Sequence, residues 1–176
     1  MILEVIALGA IALSGTAKVV DKYSDRLKSR FRQDLLKAVF ENASNSAGFS
    51  IDELEEVEAY IESGRGGIFA SLWDLGELLN SGLYINLKEI PVYQETIEIC
   101  NFLDINPYEL ESKGLYLIAT KSGYALCEKL KNEGYNAAII GHTTSNNDRI
   151  VKNGELVRYI EKNRGKEELE RIDEDE

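Results

Sequence analysis

Cysteine, histidine, proline and tryptophan are all scarce in this chain: two, one, two and one among 176 residues. The cysteines, Cys100 and Cys127, stand alone in apolar, helix-patterned segments, with no Cys-x-x-Cys spacing and no neighbouring histidine. That pattern reads as two reduced core thiols of a cytoplasmic protein and argues against a disulfide scaffold. His142 is the single imidazole. Zinc sites draw three or four nitrogen, sulfur or carboxylate ligands together, so no metal is expected. Basic residues are also in the minority, 20 Lys and Arg against 31 Asp and Glu, for a formal net charge of −11. Phosphate backbones are bound by clustered cations, so nucleic acid is not an expected partner. The apolar start, "MILEVIALGAIALSGTA", carries no Lys or Arg ahead of it and is interrupted by Glu4. It also falls short of the roughly 20 apolar residues that span a bilayer. Neither a signal peptide nor a membrane span is expected, and residues 2–8 read instead as a buried strand.

What is present is enough for one folded unit. Hydrophobic residues make up 44% of the chain, which at this length supplies a single core. Acidity concentrates in "KEELERIDEDE", so residues 163–176 are read as an acidic tail beyond a domain of residues 1–162. After the first strand, "LSGTAKVVDKYSDRLKSRF" has helical periodicity with Ser14 as its N-cap, and "QDLLKAVFENA" continues helical. Ser50 and Glu53 match the Ser-x-x-Glu capping box, which predicts a helix over "IDELEEVEAYIESG". "ASLWDLGELLN" and "YQETIEICNFLDI" are further helices, and "GYALCEKLKNEG" is another with Ser122 as its cap. "LYINLKEI", "GLYLIAT" and "NAAIIGHTT" read as strands. Asn153-Gly154 sits between two β-rich runs, which predicts a hairpin with a type I′ turn. Strands alternating with helices and no proline-rich linker predict one α/β (α+β) domain, a mixed sheet packed with helices.

Residues 62–69, "ESGRGGIF", are the most pointed motif. Glycine lets the backbone take positive φ and approach a ligand closely. A helix N-terminus offers free N–H groups and partial positive charge, and the Arg65 guanidinium is a fork suited to phosphate or carboxylate. The stretch lacks the Lys-Ser/Thr of a P-loop and the strand-glycine spacing of a dinucleotide fold. Two readings therefore stay open: an anion cradle, or a tight turn that starts and packs a helix. Lys18 and Lys22 lie one helical turn apart, and lysines on a helix face are normally solvated. Glu95 and Glu98 are helical neighbours without an acid–base partner, which reads as surface solubility. His142, after the strand "AAIIG", is a candidate to face the same cleft as the glycines.

The order of these segments resembles a known family. "LSGTAKVV", then "RGGIFASLWDLGELLNSGLYINLKEIPVYQETIEICNFLDINPYELESKGLYLIAT", then "LKNEGYNAAIIGHTT" and a closing hairpin look like the C-terminal domain of the AIR synthase (PurM-like) superfamily. That group includes aminoimidazole ribonucleotide synthase, thiamine-monophosphate kinase, selenophosphate synthetase and the hydrogenase maturation factor HypE. The resemblance is closest to HypE-like proteins and runs from about residue 5 to 160. It implies a two-domain ancestor whose N-terminal domain binds ATP and magnesium through acidic residues. Those residues have no counterpart here, so no cofactor is expected for this chain alone. The family's Asp-x-Thr-(Arg/Glu)-Gly-Gly segment falls on residues 62–67. Glu62 keeps the acidic position, Gly64 replaces the threonine, and the family strand before it looks replaced by the helical run "DELEEVEAYI". Lys113 and Gly114 fall where the family shows a small-residue turn facing the cleft. HypE is similar to a carrier whose C-terminal cysteine accepts a carbamoyl group. This sequence ends "ERIDEDE", so that chemistry is not carried over.

The anion or substrate candidates are thus Glu62, Arg65, Gly66, Gly67, Lys113 and His142, with no catalytic residue assigned. The leading reading is a stand-alone HypE-like domain, not active alone, that binds an anionic small molecule or a partner. Two alternatives stand beside it. One is half of a split ATP-dependent hydrogenase-maturation enzyme, completed by a separate N-terminal-domain chain. The other is a structural or regulatory homo-oligomer. Expected partners are the ATP-binding domain, other hydrogenase-maturation proteins or further copies of the chain, and not nucleic acid or membrane.

Overall fold

Alternating aliphatic residues in short runs make the sheet. In a strand, successive side chains point to opposite faces, and "EVIAL" buries both of its faces. Val5 and Ala7 join one cluster, Ile6 and Leu8 the other. The computed structural model describes residues 1–45, 50–162 and 168–174. The loop expected over "SNSAGFS" lies largely outside the described residues.

The strands are β1 (Glu4–Leu8), β2 (Val57–Glu62), β3 (Gly82–Asn86), β4 (Tyr116–Thr120), β5 (Ala137–Thr144), β6 (Arg149–Asn153) and β7 (Leu156–Tyr159). They form one seven-stranded sheet in the order β2-β4-β1-β5-β3-β6-β7. Every pairing is antiparallel except β3 with β6, so the sheet is mixed, as expected. The helices are α1 (Leu13–Lys22), α2 (Ser24–Lys28), α3 (Gln33–Asn45), α4 (Gly67–Leu79), α5 (Gln94–Leu103), α6 (Gly123–Asn132) and α7 (Glu168–Glu174).

The larger core joins Val5, Ala7, Leu83, Ile85, Leu117 and Ile140 of the sheet to Val19, Leu36, Leu72, Leu75 and Ile99 of α1, α3, α4 and α5. On the opposite face Ile6, Leu8 and Ile118 meet Leu126, Cys127 and Leu130 of α6, with Ile51. Burying each large aliphatic side chain contributes about 1.5–3 kcal/mol, so both faces hold the sheet in place.

Four local expectations are corrected. The helix expected from Ser50 is a single 3₁₀ turn, Ile51–Glu53, followed by strand β2. Ser50 makes no side-chain cap bond, and "VEAYIE" alternates half-buried and exposed residues along its length. Ala59 and Ile61 pack toward the larger core and Val57, across a bulge, toward the smaller one, and this β-branched and aromatic run outweighs the acidic helix-like run before it. A strand therefore does precede the glycines here, paired antiparallel with β4. The long helix expected over residues 14–31 is interrupted at Tyr23, whose φ of −105° and ψ of 27° are not helical. Ser14 is not the N-cap of α1, which is Ala12 in the left-handed region, whereas Ser122 does stand at the N-cap of α6, without a side-chain cap bond. In the β6–β7 hairpin Asn153 pairs with Leu156. The two loop residues are thus Gly154 and Glu155, and Gly154 has φ +63°. Glycine at the first loop position, followed by a residue without positive φ, is the II′ arrangement and not I′.

Candidate functional site

The glycine-rich turn leaves the end of β2, where Glu62 pairs with Tyr116. Ser63 is buried; its N–H donates to the Leu115 carbonyl at 2.7 Å, and its hydroxyl accepts from Ser71 Oγ at 2.7 Å. The Gly64 carbonyl accepts the N–H of Gly67 at 3.2 Å and that of Ser112 at 3.1 Å. Gly66 and Gly67 have φ of +83° and +69°, a pair of left-handed residues that only glycine adopts cheaply. A Cβ on Gly67 would lie 2.5 Å from the Tyr108 carbonyl oxygen and 2.7 Å from that of Leu110. The Phe69 N–H donates to the Tyr108 carbonyl at 3.2 Å, and the Phe69 ring stacks on Tyr108 at 5.3 Å. The N–H groups of Gly67 and Phe69, at the start of α4, are thus directed at the protein's own carbonyls.

Arg65 is exposed and forms an ion pair with Glu170 of α7. That helix is tied down beside it. The buried Glu168 carboxylate accepts the Asn106 N–H at 3.0 Å and the Arg171 guanidinium at 2.9 and 3.1 Å. Arg171 Nη2 reaches the Asp104 carbonyl at 2.5 Å, and Leu169 and Ile172 pack on the larger core. The acidic end of the chain therefore lies against the glycine-rich turn through residues 168–172.

A second junction joins the start of α1 to residues 111–113. Ala12 N–H donates to Ser112 Oγ at 2.8 Å, Gly15 N–H to the Glu111 carbonyl at 2.9 Å, and Lys113 N–H to Ser14 Oγ at 2.9 Å. Lys18 reaches across to Glu111 Oε1 at 2.8 Å. Glu111 is 8% exposed, and its other carboxylate oxygen has no protein partner. Sequence reasoning missed Glu111. No local pattern marks it, since its burial comes from a helix about 95 residues earlier in the chain. Lys113 itself is exposed and lies beside the glycine-rich turn, because Ser112 bonds Gly64.

His142 is elsewhere. It pairs with Glu4 at the start of β1, whereas the glycine-rich turn adjoins the other end of the sheet, where Leu8 pairs with Tyr116 and Ala137. Four residues of strand separate the two ends, roughly 13 Å. The His142 ring stacks on Tyr84 at 5.4 Å, and its Nδ1 lies 3.0 Å from the Thr143 carbonyl. The structure thus brings Glu62, Arg65, Gly66, Gly67 and Lys113 together and leaves His142 out. Glu98 of the helical carboxylate pair accepts from the Gln94 amide at 3.2 Å on the surface.

A cavity of about 290 Å³ opens at the same end of the sheet as the turn. Its walls come from the ends of β1 and α3 and from the residues leading into β4 and β5. Among the described residues no group of three or more His, Cys, Asp or Glu is placed to hold a metal. No described helix is long and apolar enough to cross a membrane.

A seven-stranded mixed sheet with this order and these helices is the AIR synthase-like fold. It is shared with HypE and thiamine-monophosphate kinase, as the sequence resemblance implied. A crystal structure of Escherichia coli HypE matches 97% of this chain with a TM-score of 0.71 and 18% identity, over 52% of the HypE chain. A HypE–HypF complex matches 92% of this chain at a TM-score of 0.66 and 17% identity, over 53% of that chain. Thiamine-monophosphate kinase from Stenotrophomonas maltophilia matches 86% at 0.59 and 11% identity, over 50% of that chain. In sequence, a putative hydrogenase expression/formation protein of Methanocaldococcus jannaschii is 29% identical over 105 residues, 57% of this chain and 31% of that protein. The chain thus spans about half the length of these solved structures and a third of this relative. No protein-family model matches the sequence.

Proposed function

We propose that this chain is a HypE-type domain of hydrogenase maturation that works by binding a partner rather than by turnover of its own. The observation that carries this reading is the extent of the match. Nearly the whole chain follows about half of HypE, including HypE as found with HypF, and a putative hydrogenase expression/formation protein is 29% identical to it over 105 residues. The glycine-rich turn favours a partner over a free small anion. The Gly67 and Phe69 N–H groups already face carbonyl oxygens, and Arg65 already holds a carboxylate. An anion at Arg65 has to displace Glu170 first.

The competing reading, an enzyme completed by a separate ATP-binding chain, also leaves this chain alone without ATP binding; it is favoured instead by ATP hydrolysis in an assembled complex that requires this chain. Titration calorimetry with ATP and magnesium is expected to show no saturable binding to this chain. Co-expression with HypE-type and HypF-type chains of the same genome, followed by size-exclusion chromatography, is expected to yield a complex. Saturable ATP binding together with no complex would reverse the assignment and place a nucleotide site in this domain.

A further inference from the structure

We propose that the open edge of β2 takes an extended, basic segment of a partner protein as a further strand of the sheet. β2 ends the sheet, with β4 on one side and no described strand on the other. The Ser63 N–H donates to the Leu115 carbonyl at 2.7 Å, and Ile61 and Ala59 stand opposite Leu117 and Ala119. In an antiparallel ladder, residues bonded to the neighbouring strand alternate with residues whose N–H and C=O point away from it. The N–H and C=O groups of Tyr60 and Glu62 therefore face outward. Neither residue makes a further backbone hydrogen bond among the described residues. A row of such groups is a template for another strand. A groove of about 500 Å³ lies along this edge. Its walls come from both sides of the sheet, Ile51 and Leu54 from the smaller core and Leu79 from the larger one. Tyr60 and Leu78 in the same groove are 43% and 59% exposed.

Charge selects the occupant. Residues 52–62 hold six carboxylates, of Asp52, Glu53, Glu55, Glu56, Glu58 and Glu62, and no Lys or Arg. All six residues are exposed, and among the described residues only Glu58 has an ion pair, with Lys121. The two sides of the strand differ. The Tyr60 ring lies 6.4 Å from that of Tyr116, and Glu62 and Asp52 are within electrostatic reach of the same phenol, so this side is acidic. Ala59, Ile61 and Leu79 pack on the larger core, so the other side is apolar. Successive side chains of an added strand fall on alternate sides. The segment that fits thus alternates Lys or Arg with aliphatic residues, its cations beside Glu62, Asp52 and the Tyr60 ring. A second β2 does not fit, because like charges would stand opposite one another. This inference uses none of Arg65, Gly66 or Gly67 and does not depend on the HypE-type reading.

The test uses the full chain and a synthetic peptide of about eight residues that alternates lysine with valine. Two controls go with it: the same peptide with glutamate for lysine, and the lysine–valine peptide with its backbone amides methylated. In titration calorimetry the lysine–valine peptide is expected to bind saturably, and neither control is. In the wild-type chain, amide NMR shifts are expected to map to residues 52–62 and 78–79, with hydrogen exchange slowed at Tyr60 and Glu62. Asp52→Lys combined with Glu62→Lys, and separately Tyr60→Pro, are each expected to weaken the peptide by about tenfold or more. Proline is tolerated on an edge strand, and at residue 60 it removes the outward N–H while leaving the β4 ladder whole; circular dichroism should show the fold retained. The proposal is overturned by no saturation up to millimolar peptide, by shifts confined elsewhere, or by folded variants that bind as the parent does. It is overturned equally if the methylated peptide binds as well as its parent, since charge attraction would then act without strand pairing. Concentration-dependent self-association that protects the Tyr60 and Glu62 amides would also overturn it, by giving the edge to a second copy of the chain.

Discussion

Within the glycine-rich turn, neighbouring glycines answer to different demands. Gly67 combines positive φ with carbonyl oxygens 2.5 and 2.7 Å from where a Cβ would sit. Gly64 has no such φ, and a Cβ there would meet nothing within 4 Å. Gly67→Ala is therefore expected to lose about 2–5 kcal/mol, from left-handed strain plus overpacking against backbone that cannot move cheaply. Gly64→Ala is expected to stay within about 0.5 kcal/mol of the parent. Urea unfolding of the two variants checks the contrast, and equal losses would mean the turn is held by something other than its packing on residues 108–110. Arg65→Ala is expected to keep the fold and cost no more than about 1 kcal/mol, since the Arg65–Glu170 pair is exposed on both sides and such pairs contribute little. A thermal melt decides it. Cys100 carries a pH dependence. Burial pushes its thiol up to about 12, with the Thr16 hydroxyl opposing and the Glu168 carboxylate adding. An unfolded thiol ionises near pH 8.5, so above that the folded chain keeps a proton the unfolded chain releases. Stability attributable to this group then falls as pH rises from about 9 towards 12. Cys100→Ala is expected to flatten the pH dependence of the urea midpoint in that window, and an unchanged slope would show that the thiol titrates alike in both states.

Among the elements, those with unmixed signals were legible in the sequence and those with competing ones were not. β1, β4 and β5 are short aliphatic runs bounded by turn residues, and α4, α5 and α6 have one periodic face. β2 was hidden because an acidic run with a capping-box spacing precedes it, and local helix chemistry pointed the wrong way. What settles β2 is pairing with β4, a contact between residues about 60 apart that no local window contains. The site divides in the same manner. The turn at residues 62–67 and its neighbour Lys113 were legible as motif and as resemblance. The occupant of Arg65 was not, because α7 returns from 105 residues further along. The cavity was invisible for the same reason, as its walls come from separate segments. Docking of α7 turns on Glu168, which accepts from both Asn106 and Arg171. Glu168→Ala leaves the half-buried Asn106 N–H without its charged acceptor and is expected to cost about 1–3 kcal/mol. Faster amide exchange at Asn106 and easier proteolysis in residues 168–174 would report it, and unchanged exchange would show that Leu169 and Ile172 hold the helix without the carboxylate.

At the scale of the whole molecule the dominant electrostatic fact is the excess of 31 acidic over 20 basic residues. At least eleven carboxylates therefore have no cation within the chain to balance them. The ion pairs that do form are mostly exposed, as for Lys37–Glu41 and Lys121–Glu58, and each contributes little. Net charge far from zero opposes the compact state through self-repulsion, and salt screens that repulsion along with the weak surface pairs. Because unbalanced negative charge outweighs pairing here, screening is expected to stabilise the fold. Raising NaCl from about 20 mM to about 300 mM shortens the screening length from roughly 20 Å to roughly 6 Å. The urea midpoint should rise over that range. Potassium chloride should match it, since the effect is one of ionic strength and not of a specific ion. A midpoint that falls instead would mean that pairs such as Arg149–Glu77, whose guanidinium is largely buried over the Trp73 ring, hold more of the stability than the net charge removes.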